Sequence, residues 1–289
     1  MTNHLFDQLL SAGAPEAIAI DAGARRYTYA DLDVESARYA NALAVLGVKA
    51  GDRVAVQVEK SAANLILYLA VVRIGAVFLP LNTAYTLLEL AYFISDAEPS
   101  LIVCDPAVAA GVKELAEATP VETLDGAGEG SLAALAAGQS ERFATVYRAG
   151  SDLAAICYTS GTTGRSKGAM LTHANLASNA ATLKALWRFS ADDVLIHALP
   201  IYHVHGLFVA TNVLLMAGGS ILLMPKFDPE AVIAAMARAT TMMGVPTFYT
   251  RLLAHPGLTR EAAAGMRLFI SGSAPLLAET HRAWEARTG

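Results

Sequence analysis

The chain has 289 residues, enough for one large domain or two modest ones with an ample buried core. Hydrophobic residues make up 54% and charged residues only 16%, which excludes a disordered chain. A formal net charge of −5 argues against general nucleic-acid or anionic-membrane binding, so any site for a charged nucleotide must be a local positive spot.

At the N-terminus no basic segment leads into an apolar core and a small-residue cleavage site. The longest apolar run, 64–81, is interrupted by Arg73 and Gly75, so no membrane span is expected and the chain reads as soluble and cytoplasmic. Residues 17–20 and 27–29 flank Asp21-Ala22-Gly23-Ala24 as a hairpin. Asp31 is expected to cap a helix reaching Leu46, with Gly47 ending it. Strand 53–58 follows, then helix 64–74 capped by Ser61, strand 77–79, a helix from Thr86 to Ser95, and strand 101–104. Residues 125–150, rich in Gly, Ala and Ser, read as a subdomain junction. They divide the chain into α/β units at 1–150 and 151–289.

The apolar run 153–157 leads directly into Tyr158-Thr159-Ser160-Gly161-Thr162-Thr163-Gly164-Arg165-Ser166-Lys167-Gly168. Here glycines let backbone N–H groups face an anion. Thr159, Ser160, Thr162 and Thr163 add hydroxyl donors, and Arg165 and Lys167 add positive charge. The spacing is not that of a Walker A loop, but a strand entering such a loop points to nucleotide phosphates. A helix then runs from Thr172 or Asn175 to about Trp187, followed by strand 194–198, a buried helix over 206–216 and strand 220–224. Pro229 opens a helix at its first turn. Strand 241–244, a helix from Thr247, strand 267–271 and helix 278–287 complete the alternation, which implies mainly parallel sheets flanked by helices. Cys104 and Cys157 lie in strand-like runs as reduced thiols, and neither has metal-ligand spacing.

Further candidates follow the loop. Tyr202-His203-Val204-His205 comes after a strand, where a nearly neutral imidazole can donate to a carboxylate and reorient; His205 reads as structural. Arg251 lies one turn beyond Thr247 and suits a bidentate grip on a carboxylate, although from spacing alone a solvent-facing arginine on an amphipathic helix is the more common case. Ser271-Gly272-Ser273-Ala274-Pro275 is a turn between strand and helix.

The segment YTSGTTGRSKGAMLTHANL resembles the signature of the adenylate-forming acyl-CoA synthetases, the superfamily of firefly luciferase and peptide-synthetase adenylation domains. The segments LPLNTAYTLLELAYFISDAEP, HALPIYHVHGLF, GVPTFYTRLL and RLFISGSAPLLAETH are similar in particular to malonyl-CoA synthetases. That resemblance implies the N-terminal part of a ligase that converts malonate, ATP and coenzyme A to malonyl-CoA, AMP and pyrophosphate. It implies Lys167, Arg165 and His203 as catalytic residues. ATP would be held by Thr159, Ser160, Gly161, Thr162, Thr163, Gly164 and Lys167 together with Gly272, Ser273, Ala274 and Pro275. Arg251 and Ser273 would hold the distal carboxylate of malonate. It also implies segments after Gly289, among them a Mg²⁺-contacting Thr and Glu, a ribose-binding Asp and a C-terminal domain bearing a lysine. Residues 1–289 alone are therefore expected to have little activity. Open alternatives are a synthetase for methylmalonate or another acyl group, and a non-catalytic nucleotide-binding module.

Overall fold

A computed structural model describes residues 2–159 and 165–289. Helix α1 (Phe6–Leu10) precedes the hairpin β1 (Ile18–Asp21) and β2 (Arg26–Thr28). Then come α2 (Tyr29–Val45), β3 (Arg53–Gln57), α3 (Ala62–Arg73), β4 (Val77–Pro80), α4 (Leu87–Ala97) and β5 (Leu101–Cys104). Four elements follow in the order α5 (Ala109–Leu115), β6 (Val121–Thr123), α6 (Ser131–Ala137) and β7 (Leu153–Thr159). The second half holds β8 (Lys167–Thr172), α7 (His173–Leu186), β9 (Val194–His197), a π-helix (His205–Thr211), α8 (Asn212–Ala217) and β10 (Ser220–Leu223). The last elements are α9 (Pro229–Met236), β11 (Thr241–Gly244), α10 (Pro246–Leu253), β12 (Leu268–Ser271) and α11 (Ala278–Thr288).

These strands form two six-stranded sheets, β6-β5-β3-β4-β7-β8 and β12-β11-β9-β10-β1-β2. All neighbours pair in parallel except β1 with β2 and β7 with β8. The expected α/β class with mainly parallel sheets is therefore present. A division at residue 150 does not separate the sheets, because β1 pairs with β10 while β7 and β8 extend the sheet of the first half.

Local chemistry explains the element starts. Ser61, Thr86 and Thr172 each accept a hydrogen bond from a backbone N–H in the first turn of α3, α4 and α7. At α2 the cap is Thr28 rather than the expected Asp31. Asp31 occupies the third helical position, and its carboxylate accepts from the Thr28 N–H to complete a capping box. Between the sheets, α3 is buried at every one of its twelve residues. Its Tyr68 ring packs edge-on against Phe78 of β4, and its hydroxyl donates to Asn212 at the start of α8. One contiguous core contains α3 together with Val54 and Phe78 of one sheet and Ile20, Leu195 and Ile221 of the other. At the end of the helix, buried Arg73 pairs with Asp33 and donates to the carbonyls of Asp33 and Phe143. Among the described residues no helix is long and apolar enough to cross a membrane.

Leu69→Ala in the middle of α3 should cost about 2–5 kcal/mol in denaturant unfolding, because rigid neighbours on all sides cannot collapse into the gap. Leu88→Ala, at a side chain 84% exposed, should stay within about 0.5 kcal/mol of the parent. Acid provides a second check. Burial, helped by the positive Arg148 and opposed by Asp152, lowers the fully buried His173 from 6.5 to about 4. The unfolded chain then binds a proton that the folded chain refuses, so stability is complete above about 6.5 and falls as pH drops toward 4. His173→Leu should remove part of that loss and leave the profile above 6.5 unchanged, as read by thermal melts across pH.

Candidate functional site

Parallel strands deliver their following loops to one edge, and the carboxyl ends of such strands are where α/β folds form crevices. A cavity of about 460 Å³ lies there. Thr159 at the end of β7, His203 and His205 after β9, Val245 after β11 and Ser273 after β12 all line it.

The two strands that flank the glycine-rich loop are antiparallel, and their register sets Thr159 opposite Lys167. Lys167 therefore begins β8 instead of ending a loop, and this strand was not foreseen. Ser160, Gly161, Thr162, Thr163 and Gly164 lie outside the described residues. Beyond them the Arg165 guanidinium lies 5.3 Å from the centroid of the Tyr92 ring. The Tyr92 hydroxyl donates to the Ser166 carbonyl at 2.7 Å, so one side chain from α4 braces the returning chain twice. In front of the loop, Tyr158 donates to the Asp96 carboxylate. Burial and that anion push the phenol well above its ordinary pKa, so it remains a donor. Nothing in the sequence marked Tyr92, because a helical tyrosine among apolar neighbours reads as core.

The His203 ring packs against Tyr202 with centroids 4.5 Å apart. Partial burial lowers the pKa of both His203 and His205, so each imidazole is neutral at pH 7. His205, taken from sequence as structural, is the histidine with a polar partner in the cavity: its Nδ1 lies 3.0 Å from Ser273 Oγ. The His-x-His spacing was the available signal, and it carried no information about which ring turns inward. Gly272 makes the approach possible. A Cβ there would lie 3.0 Å from His205 Cε1. Ser273 adopts φ +66°, a left-handed conformation that costs a non-glycine residue on the order of 1–3 kcal/mol. Ala274 and Pro275 continue the turn as exposed residues.

Arg251 is on α10, exposed, and does not line the cavity. Its guanidinium lies 4.8 Å from the centroid of Phe227, which stacks on Phe248 at 3.9 Å. Ser273 and His205 are thus brought together, while Arg251 stands apart on an aromatic platform. Both free cysteines are buried, and Cys157 has its thiol pushed up to about 12 by burial. Among the described residues no three His, Cys, Asp or Glu side chains converge as metal ligands.

Removing the Tyr92 brace should loosen the returning strand. Tyr92→Ala, which loses both the hydrogen bond, worth about tenfold by itself, and the ring, should speed amide hydrogen exchange at Ser166–Gly168 by more than about tenfold. Tyr92→Phe, which keeps the ring under Arg165, should fall between Ala and the parent.

Comparison with known proteins places this architecture. A family model described as AMP-binding enzyme matches residues 8–289. Feruloyl-CoA synthase of Amycolatopsis sp is 34% identical over 92% of this chain and 53% of its own length. The 4-coumarate–CoA ligase 3 of Oryza sativa subsp. japonica is 30% identical over 99% of this chain and 53% of its own. The crystal structure of ATP-bound MatB from Rhodopseudomonas palustris superposes with a TM-score of 0.98 at 59% identity, covering all of this chain and 58% of that one. The chain spans about half the length of the curated relatives it matches.

Proposed function

We propose a function on one premise: the chain belongs to the AMP-binding enzyme family. In our reading it forms part of an ATP-dependent acid–thiol ligase that acts on malonate. The carboxylate attacks the α-phosphate of ATP to give malonyl-adenylate and pyrophosphate. The thiol of coenzyme A then attacks the acyl carbon to give malonyl-CoA and AMP.

The observation that carries this reading is one cavity lined by Thr159 at the phosphate-loop flank, His203, and Ser273. Lys167 and Arg165, with the loop hydroxyls and backbone N–H groups, oppose charge that builds on the phosphates. Neutral His203 donates a hydrogen bond to the reacting carboxylate or adenylate oxygen. Ser273 offers its hydroxyl to the second carboxylate, and His205 fixes the direction of that hydroxyl. Arg251 supplies the countercharge. An exposed cation–π contact stabilises by about 0.5–1 kcal/mol, whereas a hydrogen bond to a charged group stabilises by about 1.5–3 kcal/mol. Exchange of Phe227 for a carboxylate is therefore downhill. Mg²⁺ is expected to neutralise phosphate charge, with ligands from segments that follow Gly289 in the relatives.

The position of Arg251 outside the cavity favours a second reading, a synthetase for an acid with one carboxylate, in which Arg251 stays on Phe227. Pyrophosphate release separates the two. The chain extended to the length of its relatives should turn over malonate in preference to acetate, and residues 1–289 alone should be slower by at least about 10²–10³-fold. Arg251→Ala in the extended protein should lower kcat/KM for malonate by about 10–100-fold and leave KM for ATP unchanged. Equal use of acetate and malonate would establish the single-carboxylate reading instead.

A further inference from the structure

The amine of Lys60, immediately before the cap of α3, is buried at 9% exposure, far from the phosphate loop in sequence. Among the described residues it pairs with no carboxylate. Its Nζ donates to the His197 carbonyl at 2.8 Å and lies 3.0 Å from His197 Nδ1. His197 ends β9 and is 1% exposed. On its other side, Nε2 lies 2.9 Å from the Gly206 carbonyl, which also accepts from the Thr211 hydroxyl at 3.0 Å. Gly206 is the second residue of the π-helix that His205 begins. It is also closely approached by Pro200, since a Cβ there would lie 2.1 Å from the Pro200 carbonyl oxygen.

Both ends of the His197 ring demand the same tautomer. A carbonyl oxygen can only accept, so Nε2 must carry the proton. An amine facing Nδ1 can donate to it, so Nδ1 is the acceptor. Burial disfavours charge on either side chain, and the chain of bonds needs none on His197. Loss of Lys60 would leave Nδ1 and the His197 carbonyl without this donor. Loss of the ring would leave only Thr211 from this network on the Gly206 carbonyl.

We propose that Lys60 and His197 are positioning residues for the acyl-binding cavity, fixing Gly206 and with it the direction in which His205 meets Ser273. The proposal rests on the reading of that cavity as the acyl site. It assigns a role to two buried titratable groups that do not themselves line that cavity but reach it through Gly206, which does. A π-turn is an uncommon geometry, and here two side chains, His197 and Thr211, hold the carbonyl of its second residue.

Nitrogen-15 histidine resonances test this on the unmutated chain without any activity assay. His197 should be neutral and protonated at Nε2 at pH 7; protonation at Nδ1 overturns the proposal. Lys60→Met should shift the His205 ring resonances, and unmoved His205 resonances count against it. His197→Gln keeps an acceptor toward Lys60 and a donor toward Gly206, so it should preserve the His205 signal that His197→Leu disturbs. If Lys60→Met does not fold, the Gln and Leu pair carries the same test. In the extended protein, Lys60→Met and His197→Leu should lower kcat for thioester formation by about 10–100-fold with KM for ATP unchanged. His197→Gln should recover to within about threefold. Unchanged kcat in both damaging variants of an active parent overturns the positioning role and leaves the acyl-site reading intact. An inactive parent fails that reading, and the tautomer and the His205 resonances then decide the positioning role by themselves.

Discussion

A twelve-residue helix with no exposed residue cannot exist at a protein surface, and α3 imposes that constraint on everything around it. Its apolar residues point in every direction, so it has to be covered on every side. One sheet and its helices cannot do this. A second sheet is needed, and the core that encloses α3 accordingly draws on strands of both. The crevice where loops from the two sheets face each other is a consequence: β7 of one sheet and β9, β11 and β12 of the other end at a common edge. The site's location follows from burial of a helix that contributes no side chain to it.

How well the sequence revealed this depends on the range of the interaction. Caps are local, and Ser61 and Thr86 were legible because a hydroxyl finds its N–H partner within the first turn, while Thr172 was one of two candidates with Asn175, the other half of its capping box. Thr28 was missed in favour of Asp31 because both residues of a capping box are capping types, and only backbone geometry says which one lies outside the helix. The alternation of strands and helices was legible for the same local reason. Which strand joins which sheet was not. Ile20 pairs with Ile221, and apolar patterning states that a strand is buried without naming its neighbour. The exchange of β1 and β7 between the halves is a long-range fact.

The site shows the same split. Segment 158–168 stands out by composition alone, in its glycines, hydroxyls and two cations, and its flanks Thr159 and Lys167 face each other. Ser273 lines the cavity, although the residues around it alone read as an ordinary turn and only the family resemblance singled it out. The partnership of His205 with Ser273 could not be read, since it depends on a glycine at 272 that lets a ring approach the backbone closely. A π-helix contains the same residue types as an α-helix. The wider turns that begin at His205 therefore leave no trace in hydrophobic spacing.

Charge is the last constraint. In a protein of net charge −5 the cations are outnumbered by carboxylates that can neutralise them. Several arginines are engaged in that way: Arg73 with Asp33, Arg148 with Asp152, and Arg267 with Asp193. Arg165 and Arg251 are held differently, over the faces of Tyr92 and Phe227. An aromatic face orders a guanidinium but carries no net charge, so the cation keeps its full field toward solvent. It is also the weaker partner, since a carboxylate or phosphate offers directed, charge-assisted hydrogen bonds that a ring cannot match. Two aromatic rests, one beside the start of β8 and one on α10 outside the cavity, therefore order positive charge in an acidic molecule without cancelling it.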